Sequence, residues 1–420
     1  GSTTSTLFGF GPKKNILKLQ RKFKDVKTII VDEVSMIGCR QLAKIANALN
    51  KAKCAGSTMP FGSIDIIFFG DFIQFRPVKD TPLYSAWKTE KNIVKKTQSD
   101  INKELGMHLW RQINHIVLLD EQMRVQDKNY LAMLNRLREG KCTDSDVIML
   151  NRRVVGQSVD ITSISDAPII TPGNQLVMAI NDLFVARHSE STKVYVSTAK
   201  DFIGKNKELP NRVSNKIKRW ANTSTQGLPR ELQLFVGMPV NEKKNIATAL
   251  GITNGTTGVV RSIHFKNEEA ISRDTGFYHV TDVDCVIVEL DDIKMKPLDS
   301  LPPNHVPIFP KKEYFSVYIP GKKQPFSVNR THFPLVPQFS CTAHKSQGQT
   351  LSKAIVDLVP HSGNKKVEIE FSYVPLSRIR RLEDLTILRP FDPSILKAKV
   401  NQEYNLMMEE YKQKDLCKDK

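Results

Sequence analysis

The sequence predicts an α/β protein with a parallel sheet, interrupted late in the chain by a small β-rich insert. Two apolar, β-branched runs at 26–31 and 64–69 flank a segment at 40–53 with helical periodicity. Strand, helix and strand in this order form a βαβ unit, whose two strands run parallel. Continuous apolar strands predict a sheet that is covered on both faces, with ligands at the carboxyl ends of its strands.

The α/β pattern continues downstream. A second set of elements begins near 116–119 and runs through a predicted helix at 131–137 and a strand at 168–171. From about Gly255 the pattern changes to short strands separated by turns, and the α/β pattern resumes at about Val336. The charged, helix-prone end of the chain predicts a solvated helix.

Composition and charge restrict the class of protein. A chain of 420 residues is too long for one ordinary core, and 40% hydrophobic with 25% charged residues is typical of a globular protein. Lys and Arg outnumber Asp and Glu by 62 to 44, a formal charge of +18 that attracts polyanions. Nucleic acid is therefore the first partner to consider, and a basic surface kept for solubility is the alternative.

The cysteines and the apolar runs argue against two further classes. The six cysteines are scattered, without a CxxC pair or zinc-type spacing, which predicts a reducing compartment and no structural metal. No run approaches the roughly 18–20 apolar residues that cross a bilayer. We therefore expect no membrane association.

Polar residues follow the first two strands. Adjacent carboxylates, Asp32 and Glu33, end the first strand, and Gly70, Asp71 and Gln74 follow the second. A nucleotide hydrolase needs one carboxylate for the Mg²⁺ that accompanies the nucleotide and another for the attacking water. We assign Asp32 to the metal and Glu33 to the water, and Gln74 to sensing the γ-phosphate. An ordinary strand end or helix cap is the alternative for the acidic pair.

These two segments resemble motifs of superfamily 1B DNA helicases of the petite-integration-frequency (PIF-like) type, including those of Helitron transposons. Residues 31–36 (VDEVSM) resemble motif II, and residues 70–78 (GDFIQFRPV) resemble motif III. Arg76 stands where the family usually has proline. The resemblance implies ATP and Mg²⁺ as cofactors, with Gly70 and Asp71 near the nucleotide.

Two further segments carry the resemblance into the second half of such a motor. Residues 119–124 (LDEQMR) resemble motif IV, whose arginine, here Arg124, reaches the nucleotide. Residues 170–174 (ITPGN) are similar to a strand end that contacts single-stranded DNA, which implies roles for Thr171 and Asn174. A plain Pro-Gly turn is the alternative for the second segment.

The most specific resemblance lies at residues 342–351 (TAHKSQGQTL), which match motif V. The resemblance implies that this segment grips the DNA backbone without reading bases. The implied contacts are Thr342, His344, Lys345, Ser346 and Gln347.

Motif VI is matched by residues 373–381 (YVPLSRIRR). The family's arginine finger maps to Arg378, which supplies positive charge to the phosphoryl group in flight. Pro375 replaces the usual alanine in the strand that we expect to enter this motif. Arg380 and Arg381 are interpreted as ordinary surface charge.

The resemblance implies two RecA-like P-loop NTPase domains, the first incomplete, with a small SH3-like β insert in the second. Residues 237–240 and 254–260 match the family's approach to that insert. The predicted bounds are 1–118 for the first motor domain, 119–254 and 336–395 for the second, 255–335 for the insert, and 396–420 for a charged tail.

The phosphate-binding signature of such a motor is missing. The pattern GK[ST] occurs nowhere in the 420 residues, and the chain opens with Gly1-Ser2. We expect that the loop was lost upstream, by truncation, gene-model error or real degeneration, and that this chain alone is inactive as an ATP hydrolase.

The implied function is ATP-dependent 5′ to 3′ translocation on single-stranded DNA by a monomeric motor acting at DNA junctions. Repair, recombination and telomere maintenance are the candidate processes. The nucleus or mitochondrion is the expected compartment in a eukaryote, and the cytoplasm otherwise. A non-hydrolysing nucleic-acid-binding module and an RNA-directed motor are the rival hypotheses.

Overall fold

The computed structural model describes residues 7–8, 16–54, 59–85, 96–156, 167–204, 207–218, 220, 222–267, 271–274, 276–291, 296–298, 300–321, 324–360 and 368–416. The chain divides into two compact units, which we name the α/β unit (2–173 and 342–420) and the β-rich unit (174–341). None of the helices in the described ranges combines the length and apolar character needed to cross a bilayer.

The helices are α1 (Ile16–Phe23), α2 (Cys39–Ala52), α3 (Gln98–Arg111), α4 (Lys128–Arg138), α5 (Asp144–Asn151), α6 (Asn174–His188), α7 (Asn211–Ile217), α8 (Ala343–Ser346), α9 (Glu370–Leu376) and α10 (Gln402–Lys414). The strands are β1 (Thr28–Val31), β2 (Asp65–Phe68), β3 (Ile169–Thr171), β4 (Val194–Thr198), β5 (Lys200–Ile203), β6 (Glu231–Leu234), β7 (Pro239–Glu242), β8 (Thr257–Phe265), β9 (Ser272–Asp274), β10 (Phe277–Val280), β11 (Val283–Leu290), β12 (His305–Ile308), β13 (Lys311–Val317), β14 (Phe326–His332), β15 (Leu335–Pro337), β16 (Ser340–Thr342), β17 (Ala354–Val356) and β18 (Leu385–Ile387).

The predicted βαβ unit is confirmed. Strands β1 and β2 pair in parallel, with Thr28 opposite Asp65, and α2 lies between them in sequence. Helix α2 buries an apolar face that includes Leu42, Ile45 and Leu49. The prediction that both faces of this sheet are covered is wrong for these strands, because Ile30 is 68% exposed.

A second parallel sheet completes the α/β unit. Strand β17 lies between β3 and β18 and pairs in parallel with both. The prediction of a strand entering motif VI is wrong, since the residues around Pro375 form helix α9. Near 116–119 the described chain forms only an isolated bridge, from Ile116 to Asp415, so no strand begins the second set there.

Helix α10 is not a solvated tail. Met407 is buried, and Tyr411 packs against the core that forms around β1 and α2. The ring of Tyr404 also meets that of Tyr84 edge-on, with 6.2 Å between centroids. The prediction of a solvated helix is therefore wrong, because a thin apolar stripe was enough to dock it.

Among its described residues the β-rich unit forms three sheets, with strand orders β6-β4-β10-β9, β12-β11-β8-β7-β15 and β13-β14-β5. Its strands begin at Val194, well before the predicted start of the insert at Gly255. The two compact units do not correspond one to one to the predicted motor domains and insert, whose bounds stay predictions.

Candidate functional site

The ends of β1 and β2 bring the two acidic segments side by side. The backbone N–H of Val34 donates to the carbonyl of Phe69 at 2.9 Å. Glu33 adopts the left-handed conformation, with φ of 54°, and Gly70 has φ of 148°. A Cβ on Gly70 would lie 2.8 Å from the Val34 nitrogen, so this close approach of the two loops requires glycine.

A cleft of about 730 Å³ lies beside these strand ends. Four predicted site residues line it: Asp71, Gln74, Arg124 and Arg378. The remaining lining residues are Glu121, Gln122, Met123, Gln126, Arg138, Thr350, Tyr373 and Arg380. The structure thus brings motifs III, IV and VI to one cavity, while Asp32 and Glu33 lie outside its lining.

Gln74 presents an unsatisfied oxygen at this cleft. Its side-chain Oε1 is buried and has no hydrogen-bond partner among the described residues. A buried acceptor without a donor costs free energy, so the position favours a ligand or water that donates to it. The role predicted for Gln74 at the attacking water stays a prediction.

Arg378 is a buried cation without an acidic partner. It is only 2% exposed, and its Nε donates to the carbonyl of Val374 at 3.0 Å. Burial, and to a smaller extent the positive charge of Arg124, lower the pKa of Arg378 to about 10. No carboxylate in the described part of the chain forms an ion pair with Arg378. An anion in the cleft would stabilise the charged form of Arg378 against burial and against the charge of Arg124.

Arg124 is held in place by one residue of motif V and one of motif VI. Its Nε donates to Oγ1 of Thr350 at 3.0 Å, and its guanidinium donates to the carbonyl of Ser377 at 3.1 Å. These bonds fix the guanidinium at the cleft without neutralising it. Arg124 and Arg378 therefore form a positively charged wall.

Arg138, which the sequence analysis missed, ties two walls of the cleft together. Its guanidinium forms two bonds to the carboxylate of Asp71 and donates to the Tyr373 hydroxyl at 2.7 Å. Burial lowers the pKa of Arg138, but Asp71 and Tyr373 outweigh it, so the pKa is raised overall. Asp71 is thus held by an arginine and serves as a structural anchor of the cleft.

The Gln347 side chain joins motif V to both strand-end loops. Its Nε2 donates to Oε2 of Glu33 at 2.7 Å, and its Oε1 accepts from the backbone N–H of Phe75 at 3.2 Å. The carboxylate predicted to act as the base is therefore oriented by an amide from motif V. A Cβ on the adjacent Gly348 would approach Glu33 Oε1 to 3.2 Å.

The other side chains predicted to grip DNA differ in accessibility. The His344 ring stacks on Phe75, with 3.8 Å between centroids, and burial lowers the pKa of His344, which keeps it uncharged at neutral pH. Ser346 is fully buried and donates to the carbonyl of Ala343. Thr342 is also buried, whereas Lys345 is exposed.

Arg76, which stands where the family usually has proline, forms an ion pair. Its Nε lies 2.6 Å from Oε1 of Glu370, which is buried at the start of α9. The ring of the preceding Phe75 meets that of Phe371 edge-on at 5.1 Å. The motif III loop is therefore fastened to α9 by an ion pair and a ring contact.

The two residues of the proposed strand-end contact fall in different units. Thr171 is buried, and its hydroxyl donates to the carbonyl of Gly173 at 3.2 Å. Asn174 begins α6 and is exposed. In this structure the Thr171 side chain takes part in a turn.

Comparison with known proteins identifies relatives along nearly the whole chain. The family model for PIF1-like helicases matches residues 13–147. The chain is 24% identical to ATP-dependent DNA helicase PIF1 of Xenopus laevis, over 98% of this chain and 56% of that protein. It is 26% identical to the Danio rerio protein of the same name, over 90% of this chain and 48% of that protein. The chain thus spans about half the length of these relatives.

The fold is also shared with solved structures. The crystal structure of Pif1 helicase from Bacteroides in complex with ADP-AlF3 and ssDNA matches with a TM-score of 0.67 at 20% identity, covering 98% of this chain and 84% of that one. The Candida albicans Pif1 helicase structure matches with a TM-score of 0.62 at 21% identity, with 98% and 85% covered. This likeness shows the mixed α/β fold, consistent with two RecA-like domains.

Proposed function

We propose, since the chain belongs to the PIF1-like helicase family, that it is the greater part of an ATP-dependent DNA helicase motor moving 5′ to 3′ along single-stranded DNA. The observation that carries this proposal is the cleft at which Arg378 and Arg124 present unneutralised charge beside the unsatisfied oxygen of Gln74. Such a cavity fits an anion and a water next to it.

The residues of the cleft and the adjacent strand-end carboxylates, Asp32 and Glu33, divide the chemistry of phosphoryl transfer among them. Glu33 takes the proton of the attacking water, and Gln74 orients that water. Arg378 and Arg124 offset the negative charge that gathers on the phosphoryl oxygens. Asp32 is an exposed carboxylate at a strand end, which fits the hard Mg²⁺ that accompanies a nucleotide. A bound Mg²⁺ would supply further charge neutralisation at the phosphates.

The bond from Gln347 to Glu33 couples DNA contact to this chemistry. Motif V would meet the DNA backbone through exposed Lys345 and its main chain, because His344 and Ser346 are engaged within the protein. Movement of motif V on the DNA would then alter the orientation of the Glu33 carboxylate. This link gives a physical route for DNA to stimulate hydrolysis.

The proposal extends to the partners, the oligomeric state, the process and the compartment. The partners are single-stranded DNA and DNA junctions, and the motor acts as a monomer. Its processes are repair, recombination or telomere maintenance, in the nucleus or mitochondrion if the source is eukaryotic.

Hydrolysis by a chain carrying an added upstream GK[ST] loop tests the proposal. ATP turnover should be stimulated by single-stranded DNA, and Arg378→Ala should lower it by about 10³- to 10⁵-fold. Arg380→Ala, which removes a charge at the rim of the cleft, is the matched control and should have a much smaller effect. A folded chain that binds single-stranded DNA but never hydrolyses ATP would instead support the non-hydrolysing binding module.

A further inference from the structure

The three-stranded sheet of the β-rich unit packs one face against a small apolar core, and its outer strand β13 exposes side chains on the other face. Phe315 and Val317 of β13 are buried in a small apolar core with Val328 of β14 and the α7 residues Val213 and Ile217. Because side chains alternate along a strand, the residues between them point to the opposite face.

The outward side of β13 alternates between basic, aromatic and hydroxyl side chains. Its residues are Lys312, Tyr314, Ser316 and, just beyond the strand, Tyr318, which we name the β13 face. Tyr314 is 60% exposed and Tyr318 is 67% exposed. Strand β13 lies at the edge of its sheet.

Neighbouring strands lie on the same side of the sheet but are less exposed. The register pairs Tyr314 with Asn329 of β14, which is 1% exposed, and Asn329 with Phe202 of β5, which is half-buried. Lys312 is paired with Thr331, which is opposite Lys200. The Lys312 ammonium lies 6.0 Å from the centroid of the Tyr314 ring.

Charge on this side of the sheet is positive. Lys312 and Lys200 lie on it, and Lys216 of α7 donates to the carbonyl of Tyr318 at its end. Lys200 forms an exposed ion pair with Asp282, so the charge of Lys200 is offset. The carboxylate on β13 itself, Glu313, alternates to the other side and pairs with Lys244.

We propose that the β13 face is a stacking surface for single-stranded DNA. Exposed aromatic rings accept unpaired bases regardless of sequence, and interleaved lysines attract the phosphates. The two tyrosines are four residues apart on an extended strand, or roughly 13 Å, so each would stack a different base. The choice of DNA as the polymer rests on the proposed function, whereas the stacking surface rests on the β13 face alone.

Binding of a short, fluorescently labelled oligothymidylate by the full chain tests this inference. Tyr314→Ala with Tyr318→Ala should weaken binding by about tenfold or more, since each stacked base contributes substantially. Tyr314→Phe with Tyr318→Phe should retain binding because the rings remain, whereas leucine at both positions should lose it. Leu183→Ala is the matched control, because Leu183 is 68% exposed in the same unit and lies on α6. Circular dichroism would check that every variant is folded.

Photocrosslinking supplies a second, direct readout. An oligothymidylate carrying 5-bromouracil should crosslink to Tyr314 or Tyr318, identified by mass spectrometry of the peptides. Lys312→Ala should also reduce the slope of log affinity against log salt by about 0.7, the contribution of one neutralised phosphate on a single strand.

The outcomes separate this inference from the proposed function. If the tyrosine variants bind as the parent does and no crosslink maps to the β13 face, the inference is wrong. Loss of binding in Lys345→Ala would then still support DNA contact by motif V. If an oligouridylate of equal length binds more tightly than oligothymidylate, the assignment to DNA is overturned. If the parent chain binds no single strand, both proposals fail.

Discussion

Asp201→Ala should destabilise the β-rich unit by about 3 kcal/mol, because it leaves the buried guanidinium of Arg330 without its ionic partner. Arg330 is 1% exposed, and its guanidinium forms two bonds to the Asp201 carboxylate, at 2.7 and 2.8 Å. Removing one partner of a buried pair costs roughly 3–5 kcal/mol, and we take the lower end because the Asp201 side chain is 13% exposed. The Leu228 carbonyl, 3.2 Å from Arg330, offers only partial compensation.

Urea unfolding followed by tryptophan fluorescence would measure this loss. Trp220 is a local reporter, since its ring lies 6.1 Å from that of Phe315 in the same small core. The double variant Asp201→Leu with Arg330→Met is the control and should recover most of the stability, because it removes both charges. A loss below about 1 kcal/mol in Asp201→Ala would show that Arg330 is solvated without its partner, and the argument from burial would be refuted.

Two further predictions concern pH. Burial raises the pKa of Glu242 from 4.5 to about 7. Between these two pH values the folded chain holds a proton that the unfolded chain has released. The free energy of unfolding should therefore fall by about 3 kcal/mol as pH rises from 4.5 to 7. Glu242→Gln should flatten that dependence in thermal unfolding, and an unchanged slope would contradict the assignment to Glu242. Gln347→Glu places a second carboxylate against Glu33, so its stability should match that of the parent at pH 4 and fall about 1.5 kcal/mol below it at pH 8. Gln347→Ala is the control, and a loss in Gln347→Glu that did not change with pH would speak against the contact.

Local patterns predicted the elements that carry the site. The β-branched runs before Asp32 and Gly70 form paired parallel strands, as expected, because strand propensity and burial agree there. The apolar stripe of α10 is short, and its docking depends on the surface that it meets, which local sequence does not show. The family pattern predicts a strand at Pro375, but helix α9 tolerates proline near its end.

Contacts between distant segments could not be read from the sequence. Arg138 and Asp71 are separated by 67 positions, and Gln347 and Glu33 by 314. Nothing in the residue types says that an amide of motif V meets a carboxylate of motif II rather than DNA. Their pairing arises from tertiary contacts within the α/β unit.

ATP hydrolysis by Glu33→Gln tests whether Glu33 is the general base. In a chain carrying an added GK[ST] loop, DNA-stimulated ATP turnover should fall by about 10²- to 10⁴-fold, the share of a general base. Affinities for nucleotide and single-stranded DNA, measured on the same preparation, should stay close to those of the parent. A kcat within about threefold of the parent would contradict the account, since the loss of a general base costs far more.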